Sequence, residues 1–159
     1  MPEVVVHRAT PREARVMAVL HASAFAKPWD EAAMGQFIAA PDTICLIGTA
    51  VDGSGGLPSG FLIARRATDE AELLTLAVAP RFRGAGLSKA LLKEAIAMLR
   101  TAGAKQLYLE VAEGNTAALG LYQSCGAKPV GRRSRYYENG ADAAIFSLAL
   151  YPSAVDDGA

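Results

Sequence analysis

This sequence has no excess charge of either sign and no long hydrophobic run. Its 16 lysine and arginine residues balance 16 aspartate and glutamate residues, so no net charge favours binding to nucleic acid or to a charged membrane surface. No apolar stretch approaches the ~20 residues of a membrane-spanning helix, and the N-terminus lacks the pattern of a secretory signal. We therefore expect a cytoplasmic protein that binds neither nucleic acid nor membrane.

Cysteine and histidine are scarce. The two cysteines, Cys45 and Cys125, lie far apart in the sequence and do not have the spacing of metal ligands. The two histidines, His7 and His21, have no partners at ligand spacing either. We expect no metal site, and we interpret both cysteines as buried thiols of a reducing compartment.

The length and the hydrophobic content suit one globular domain. With 159 residues, 52% of them hydrophobic, the chain is long enough to bury a sizeable core. We expect one domain over residues 1–150, followed by a flexible tail over residues 151–159. The sequence does not predict an oligomeric state.

Strands and helices are predicted to follow each other in the order β-α-α-β-β-β-α-β-α-β-β. Thr10 and Asp30 are candidate caps of the first two helices, and Gly103 ends the long third helix. The predicted strands cover residues 3–8, 43–50, 61–66, 71–78, 106–111, 128–136 and 143–150. The later helices cover residues 86–102 and 115–124, and residues 52–60 form a glycine-rich hairpin loop. The apolar stripe of the third helix is predicted to consist of Leu87, Leu91, Ala95, Met98 and Ala102. This order favours a mixed α/β (α+β) fold, in which about four helices pack on a mixed central sheet of about six to seven strands.

One stretch joins an apolar strand to a helix through a basic turn that contains glycine. The apolar run 73–78 ends before Pro80, and Arg81, Arg83, Gly84 and Gly86 follow before the helix begins. The unpaired N–H groups and the positive dipole end of a helix attract anions, and glycine lets a phosphate approach the backbone. The sequence therefore predicts a phosphorylated ligand at this turn.

Three kinds of phosphorylated ligand compete for this turn. A Walker A loop requires G-x-x-x-x-G-K-S/T, which Gly84 and Gly86 do not supply. A dinucleotide site requires G-x-G-x-x-G; here Lys89 takes the place of the third glycine, although Glu110 lies about where a ribose-binding acid would fall. That interpretation leaves Asn115 and Tyr122 without roles. The third ligand is the pyrophosphate of coenzyme A.

Two motifs resemble those of the GNAT acetyltransferase superfamily. Residues 83–88, R-G-A-G-L-S, resemble its Q/R-x-x-G-x-G/A signature, and residues 115–122, N-T-A-A-L-G-L-Y, resemble its N-x-x-A-x-x-L-Y region. Ser88 departs from the usual final glycine or alanine, and Ala127 follows Gly126 where phenylalanine is common. The resemblance implies a GNAT fold and acetyl-CoA as the cofactor.

The resemblance also implies which residues would bind acetyl-CoA. Main-chain groups of Leu76 and Val78 would pair with the pantetheine amides, as a strand pairs with a sheet edge. Asn115 would hydrogen-bond the pantetheine arm, or it would only cap its helix. Arg81 would neutralise phosphate or only face solvent. The residues that would contact the pyrophosphate are Arg83, Gly84, Ala85, Gly86, Leu87 and Ser88.

Two residues are candidates for the acetyl-transfer chemistry. Glu110 would accept the proton of the amine, directly or through water, or it would be only a salt-bridge or cap partner. The resemblance implies that Tyr122 donates a proton or a hydrogen bond to the leaving thiolate; alternatively, it is a packed core tyrosine. Cys125 could act as a nucleophile only through an acetyl-enzyme intermediate, and nothing near it in the sequence suggests activation.

Further matches are similar to the RimI-type protein N-terminal acetyltransferases. They are the segments P-W-D-E at 28–31, L-E-V at 109–111, R-R at 132–133 with Y-Y at 136–137, and D-A at 142–143. Ala141 departs from the glutamate often found there. This resemblance implies that the acceptor is the N-terminal alanine of a small-subunit ribosomal protein. Trp29, Tyr136 and Tyr137 would then wall a peptide groove, or they would serve packing only.

Two other functions stay open at this stage. The chain could acetylate a small-molecule amine, or it could be a non-catalytic sensor that binds acyl-CoA. The presence of both Glu110 and Tyr122 argues against the sensor.

Overall fold

Seven strands and four α-helices occur in the computed structural model, which describes residues 3–52, 55–84, 86–133 and 142–150. The strands are β1 Glu3–Arg8, β2 Thr43–Asp52, β3 Gly55–Ala67, β4 Glu70–Val78, β5 Gln106–Ala112, β6 Lys128–Arg133 and β7 Ala143–Ala149. The helices are α1 Ala14–Ala24, α2 Glu31–Ala39, α3 Leu87–Thr101 and α4 Thr116–Ser124. This element order and the mixed α/β class are those that the sequence predicts. In the described ranges, no helix has both the length and the apolar character needed to cross a membrane.

The chain forms two compact units. Unit 1 consists of Met1–Arg65 and Leu74–Met98, and unit 2 consists of Arg66–Leu73 and Leu99–Ala159. Strand β4 and helix α3 each contribute residues to both units.

Unit 1 contains the antiparallel strands β1, β2 and β3 and the C-terminal part of β4, in that order. Helices α1 and α2 pack on these strands through one apolar cluster. Its buried members are Ala14, Met17, Leu20, Met34, Cys45, Ile47, Phe61, Ile63 and Ala77. Cys45 is a free thiol whose pKa is raised to about 11 by burial. Cys125, in unit 2, is also free but only half-buried, so the expectation of two buried thiols was wrong for Cys125.

The predicted loop over residues 52–60 was wrong, because strand β3 already begins at Gly55. Asp52 pairs with Gly55 and Val51 pairs with Gly56, which makes β2 and β3 a tight hairpin. A Cβ atom on Gly56 would lie 2.8 Å from Thr49 Cγ2 and 2.9 Å from the Ala50 carbonyl oxygen. Glycine at position 56 therefore allows the two strands to approach closely. Because glycines are also typical of loops, the sequence did not predict that β3 begins here.

Unit 2 contains the remaining sheet, with β4, β5, β7 and β6 in that order. Residues Glu70–Glu72 of β4 run parallel to β5, while β5 and β6 are both antiparallel to β7. The hairpin predicted at the end of the chain is therefore confirmed as β6 and β7. Buried residues of this unit include Leu107, Leu109, Val111, Tyr122, Ala143, Phe146 and Leu148.

Local signals set most helix ends as predicted. The Glu13 carboxylate accepts the Thr10 N–H at 2.9 Å before α1, and Asp30 Oδ1 accepts the Ala33 N–H at 2.9 Å at the start of α2. Gly103 follows α3 with a φ of 97°, as a helix-ending glycine does.

The apolar stripe of α3 differs from the prediction. The buried residues are Leu87, Leu91, Leu92, Ala95 and Leu99, whereas Met98 is half-buried and Ala102 is exposed beyond the helix end. The spacing of four from Leu87 through Leu91 and Ala95 continues to Leu99, and Leu92 joins the same face. The prediction instead stepped by three residues from Ala95 to Met98. The first turn of the helix was still assigned to the correct face.

We expect Gly60→Ala to destabilise the protein. A Cβ atom at Gly60 would lie 2.8 Å from the Ala77 carbonyl oxygen, which cannot move without disturbing β4. Overpacking of this kind costs about 1–3 kcal/mol of unfolding free energy. The control is Gly35→Ala in α2, where a Cβ meets nothing within 4 Å and alanine is expected to stabilise the helix by about 0.5–1 kcal/mol. Urea denaturation of both variants measures the difference, and equal stabilities would contradict the prediction.

Candidate functional site

The phosphate turn, which we define as residues 83–88, has a backbone that requires glycine at two positions. Gly84 and Gly86 have φ angles of 85° and 84°, a conformation that other residues rarely adopt. A Cβ atom on either glycine would meet nothing within 4 Å, and both residues are exposed. Glycine is therefore needed at both positions for the backbone conformation, and the space that a side chain would occupy is empty. Ala85 lies outside the described residues.

Leu87 anchors the phosphate turn to unit 1. Its side chain is only 1% exposed and packs with Ala50 and Val78. Gly48 makes room for it, because a Cβ atom there would lie 3.0 Å from Leu87 Cδ2. The start of α3 is therefore held against the strands by a buried apolar contact.

The first turn of α3 presents backbone N–H groups. The Gly86 carbonyl oxygen accepts the Ala90 N–H at 3.0 Å, which is the first bond of the helix. The N–H groups of Leu87 and Ser88 precede that bond and have no acceptor within the helix. Together with the helix dipole, these N–H groups are of the kind that could bind an anion.

Two arginines flank the turn in different ways. Arg83 is exposed and follows the short 3-10 turn Pro80–Phe82, where its N–H donates to the Pro80 carbonyl oxygen at 3.3 Å. The Arg81 guanidinium lies over the Phe82 ring, 4.9 Å from its centroid. The Arg81 guanidinium therefore packs on an aromatic ring. Arg83 is exposed and is the positively charged side chain within residues 83–88.

Strand β4 presents main-chain groups at the edge of unit 1. The Ala79 N–H donates to the Ser59 carbonyl oxygen at 2.8 Å, so Ala79 faces β3. Because successive residues of a strand direct their backbone groups to alternate edges, those of Val78 point away from β3. This is the edge at which an extended ligand could pair with the backbone, as predicted for Val78. Leu76 lies two residues earlier on the same strand.

In unit 2, Glu110 lies on β5 and forms an ion pair. Its carboxylate Oε1 lies 3.2 Å from Arg133 Nη2 at the end of β6, and the side chain is 31% exposed. The salt-bridge interpretation of Glu110 is therefore part of the structure. The carboxylate is still partly open to solvent, so the pair does not exclude a second role as proton acceptor.

A second group of ion pairs lies where β5 and β6 end and β7 begins. Arg132 Nε lies 2.6 Å from Glu113 Oε1, and Arg132 Nη2 also contacts the Asp142 carboxylate. The sequence motifs contained Arg132, Arg133 and Asp142 but assigned them no contacts. Their pairing joins residues far apart in the sequence, which spacing alone does not reveal.

Helix α4 and its N-cap carry two further predicted residues of unit 2. Asn115 Oδ1 accepts the Ala118 N–H at 3.1 Å, so Asn115 caps the helix. Tyr122 is 5% exposed, and its ring lies 6.4 Å from that of Phe146. The structural roles that the sequence left open, a helix cap for Asn115 and core packing for Tyr122, are thus both present. The ligand contacts predicted for these residues would use the Asn115 side-chain N–H group and the Tyr122 hydroxyl, and they stay predictions.

Trp29 belongs to an aromatic cluster that the sequence did not reveal. The His21 ring stacks between Phe25, at a centroid distance of 4.4 Å, and Trp29, at 4.8 Å. Trp29 also contacts Phe37 at 5.1 Å. The packing role of Trp29 is therefore established, and its predicted role in a peptide groove stays a prediction. Tyr136 and Tyr137 lie outside the described residues.

His21, to which we assigned no role, holds the Trp29 backbone. The Trp29 N–H donates to His21 Nδ1 at 3.0 Å, and His21 is buried. Nδ1 can accept this bond only while it carries no proton. The spacing of eight residues across a break between helices gives no pattern that sequence reasoning could use.

Within the described ranges, no group of three or more histidine, cysteine, aspartate or glutamate side chains could hold a metal ion. The features that could hold a ligand are the phosphate turn and the main-chain groups of β4 that point away from β3, both in unit 1. Unit 2 supplies a half-buried carboxylate and a buried tyrosine.

Comparison with known proteins connects these features to a family. The sequence profile of the "Acetyltransferase (GNAT) family" matches residues 15–127. The chain is 36% identical over 147 residues to the N-alpha-acetyltransferase RimI of Mycobacterium tuberculosis, which covers 88% of this chain and 89% of that protein.

Solved structures agree with this match. The ribosomal-protein-S18-alanine N-acetyltransferase of Escherichia coli has a TM-score of 0.82 at 27% identity, covering 95% of this chain and 96% of that one. NAA60 of Arabidopsis thaliana, solved in complex with acetyl-CoA, has a TM-score of 0.80 at 18% identity, with 92% and 98% covered. The second likeness supports the fold alone.

We expect His21 to make stability depend on pH. Burial lowers the pKa of His21 below its ordinary value, so His21 stays neutral in the folded protein while it takes up a proton in the unfolded chain below about pH 6.5. Stability due to the neutral ring is complete above that pH and is lost as the pH falls, by at most about 1.4 kcal/mol per pH unit.

The matched variant for this test is His21→Asn, which can still accept the Trp29 N–H but does not titrate. Urea denaturation of both proteins between pH 7.5 and pH 5, on the order of one histidine titration range, measures the difference. The wild type should lose more stability than the variant, and parallel curves would refute the assignment.

Proposed function

The chain belongs to the GNAT acetyltransferase family, and we propose that it transfers the acetyl group of acetyl-CoA to the α-amino group of a protein N-terminus. The acetyltransferase activity and the use of acetyl-CoA follow from the family. One observation carries the proposal: the phosphate turn, with two positive-φ glycines and the buried Leu87 anchor, fits a pyrophosphate.

The proposed acceptor is the N-terminal alanine of a ribosomal protein. Support comes from the names of the relatives, one an N-alpha-acetyltransferase and the other a ribosomal-protein-S18-alanine N-acetyltransferase. An α-amino group with a pKa of about 7.7–8.0 costs only about 1 kcal/mol to deprotonate at pH 7, whereas a lysine costs about 4–5 kcal/mol. Such an acceptor needs only a weak base to remove its proton, which suits Glu110, whose carboxylate is already paired with Arg133. A ribosomal acceptor would also place the enzyme in the cytoplasm.

Acetyl-CoA binding is proposed to use the residues of unit 1 that the family motif implies. The amides of the phosphate turn (Gly84, Ala85, Gly86, Leu87 and Ser88) would bind the pyrophosphate, with Arg83 supplying charge. Main-chain groups of Val78 and Leu76 would bind the pantetheine amides. Asn115 uses Oδ1 for its helix cap, so its Nδ2 would be the donor to the pantetheine arm.

Glu110 and Tyr122 are proposed to assist the two ends of the transfer, the amine and the leaving thiolate. The neutral acceptor nitrogen attacks the thioester carbon, the C–N bond forms, and the C–S bond breaks with the electron pair leaving on sulfur. Glu110 takes the surplus proton of the nitrogen, directly or through water. Full proton transfer from a phenol with a pKa of about 10 to a thiolate near 8.5 is uphill by about 2 kcal/mol. Tyr122 therefore acts by a hydrogen bond that tightens as the thiolate forms.

The acceptor is proposed to lie against Trp29, whose ring is fixed by His21 and Phe37. Tyr136 and Tyr137 are proposed as further walls of the same groove. A rigid aromatic wall loses little conformational freedom when a peptide binds.

Activity and its dependence on the phosphate turn can be tested together. The purified protein should acetylate a peptide that begins with alanine when it is incubated with acetyl-CoA, as read by mass spectrometry against a panel of other N-termini, lysine-containing blocked peptides and small amines. Gly86→Glu should abolish both acetylation and acetyl-CoA binding, because it adds a negative charge and a positive-φ strain at the turn.

The matched control is Gly55→Glu. Gly55 also has a positive φ, 105°, with nothing within 4 Å of a Cβ atom, but it lies in the hairpin of β2 and β3. This control should keep acetyl-CoA binding. Unchanged binding by Gly86→Glu would refute the phosphate assignment, and acetylation of small amines alone would refute the protein acceptor.

Removal of the Tyr122 hydroxyl should slow the reaction without weakening cofactor binding. We expect Tyr122→Phe to lower kcat by about 10², with acetyl-CoA affinity nearly intact by calorimetry. Tyr108→Phe, on β5 of the same unit, is the control and should keep its activity. An unchanged kcat in Tyr122→Phe would remove Tyr122 from the mechanism.

A further inference from the structure

Thr75 on β4 has a buried hydroxyl that forms no hydrogen bond. The residue is 8% exposed, and Oγ1 is the one buried side-chain polar atom without a partner among the residues that the structure describes. A buried hydroxyl without a partner is a cost to folding. Thr75 lies in residues 73–79, which are otherwise apolar, so its hydroxyl points to a ligand atom as the partner.

The position of Thr75 along β4 indicates which end of the ligand it would meet. Thr75 lies three residues before Val78, about 10 Å further from the phosphate turn at ~3.3 Å per residue. In the proposed binding mode, the pantetheine arm starts at the phosphate turn and runs back along the edge of β4. The thioester is at the far end of that arm, so it is the part of acetyl-CoA that approaches the level of Thr75.

The chain on either side of Thr75 favours a neutral ligand group. Residues 73–79 read L-L-T-L-A-V-A and contain no charged side chain. A phosphate or an ammonium group would be poorly stabilised there, whereas a carbonyl oxygen needs only one donor. The thioester carbonyl is the neutral acceptor that acetyl-CoA carries at this end.

We propose that the Thr75 hydroxyl donates a hydrogen bond to the thioester carbonyl oxygen of acetyl-CoA; this inference rests on the proposed function. When the acceptor nitrogen bonds to the carbonyl carbon, that oxygen carries negative charge until the C–S bond breaks and the electron pair leaves on sulfur. The hydrogen bond is strongest in that state, because the oxygen then carries negative charge and the donor is already fixed in a buried site. Thr75 would thus stabilise the charge on the carbonyl oxygen, while Glu110 takes the amine proton and Tyr122 hydrogen-bonds the leaving thiolate.

The test compares Thr75→Val, which keeps the shape and removes the hydroxyl, with Thr75→Ser, which keeps the hydroxyl. Thr75→Val should lower kcat by about 10–100-fold and weaken acetyl-CoA binding by about 2–10-fold, with CoA binding and the acceptor KM unchanged. Its unfolding free energy should equal or exceed that of the wild type, because no partner is lost within the protein. Thr75→Ser should stay within about threefold of the wild type.

A second buried threonine provides the control. Thr43 on β2 is 5% exposed, and Thr43→Val should leave kcat and acetyl-CoA affinity unchanged. An unchanged kcat and acetyl-CoA affinity in Thr75→Val would overturn the inference, as would a rise in acceptor KM alone or an equal loss of CoA affinity.

The two proposals can fail separately. Wild-type protein that binds acetyl-CoA but acetylates no N-terminus refutes the proposed acceptor, and the comparison of acetyl-CoA with CoA affinity still tests Thr75. Wild-type protein that acetylates normally, together with a Thr75→Val variant of equal kcat, refutes only the role of Thr75.

Discussion

The contact between Leu87 and Gly48 is the constraint on which the ligand-binding part of the molecule depends. A helix N-terminus binds an anion only if its amides are held in place, and here one buried leucine fixes the first turn of α3 against β2. The absence of a side chain at Gly48 is what allows the leucine to sit there. The glycines of the phosphate turn are then free to serve the backbone alone, since nothing packs where their side chains would be. Packing and the proposed ligand binding thus fall to different residues of one short segment.

In unit 2, ion pairs hold side chains of the candidate site in place, whereas in unit 1 a buried apolar contact holds the phosphate turn. Strand β6 is exposed along its length, yet its last two residues, Arg132 and Arg133, each pair with carboxylates of β5 or of the residues beside it. Exposed ion pairs of this kind contribute little to stability. Their effect is to restrict the directions in which the carboxylates point, and for Glu110 that direction matters to the role we propose for it as proton acceptor.

The sequence predicted what local chemistry controls and missed what distant contacts control. The caps at Thr10 and Asp30, the end of α3 at Gly103 and the glycine turn were all visible, because each depends on residues within a few positions. The start of β3 was missed, since glycines read as a loop until β2 is seen to pair with them. The His21–Trp29 bond, the ion pairs of Arg132 and Arg133 and the orphan hydroxyl of Thr75 were missed for the same reason: each depends on which elements become neighbours. The family motifs supplied the roles proposed for Glu110 and Tyr122, which spacing alone could not assign.

The difference between the two thiols has a practical consequence. Maleimides and related reagents attack thiolates, and Cys45, with its pKa raised to about 11 inside the unit 1 core, holds its proton at neutral pH. Cys125 is half-buried and follows directly after α4, the helix that carries Tyr122. The natural chain therefore offers one selective attachment point for a fluorescent or spin label, beside the tyrosine whose surroundings such a probe would report.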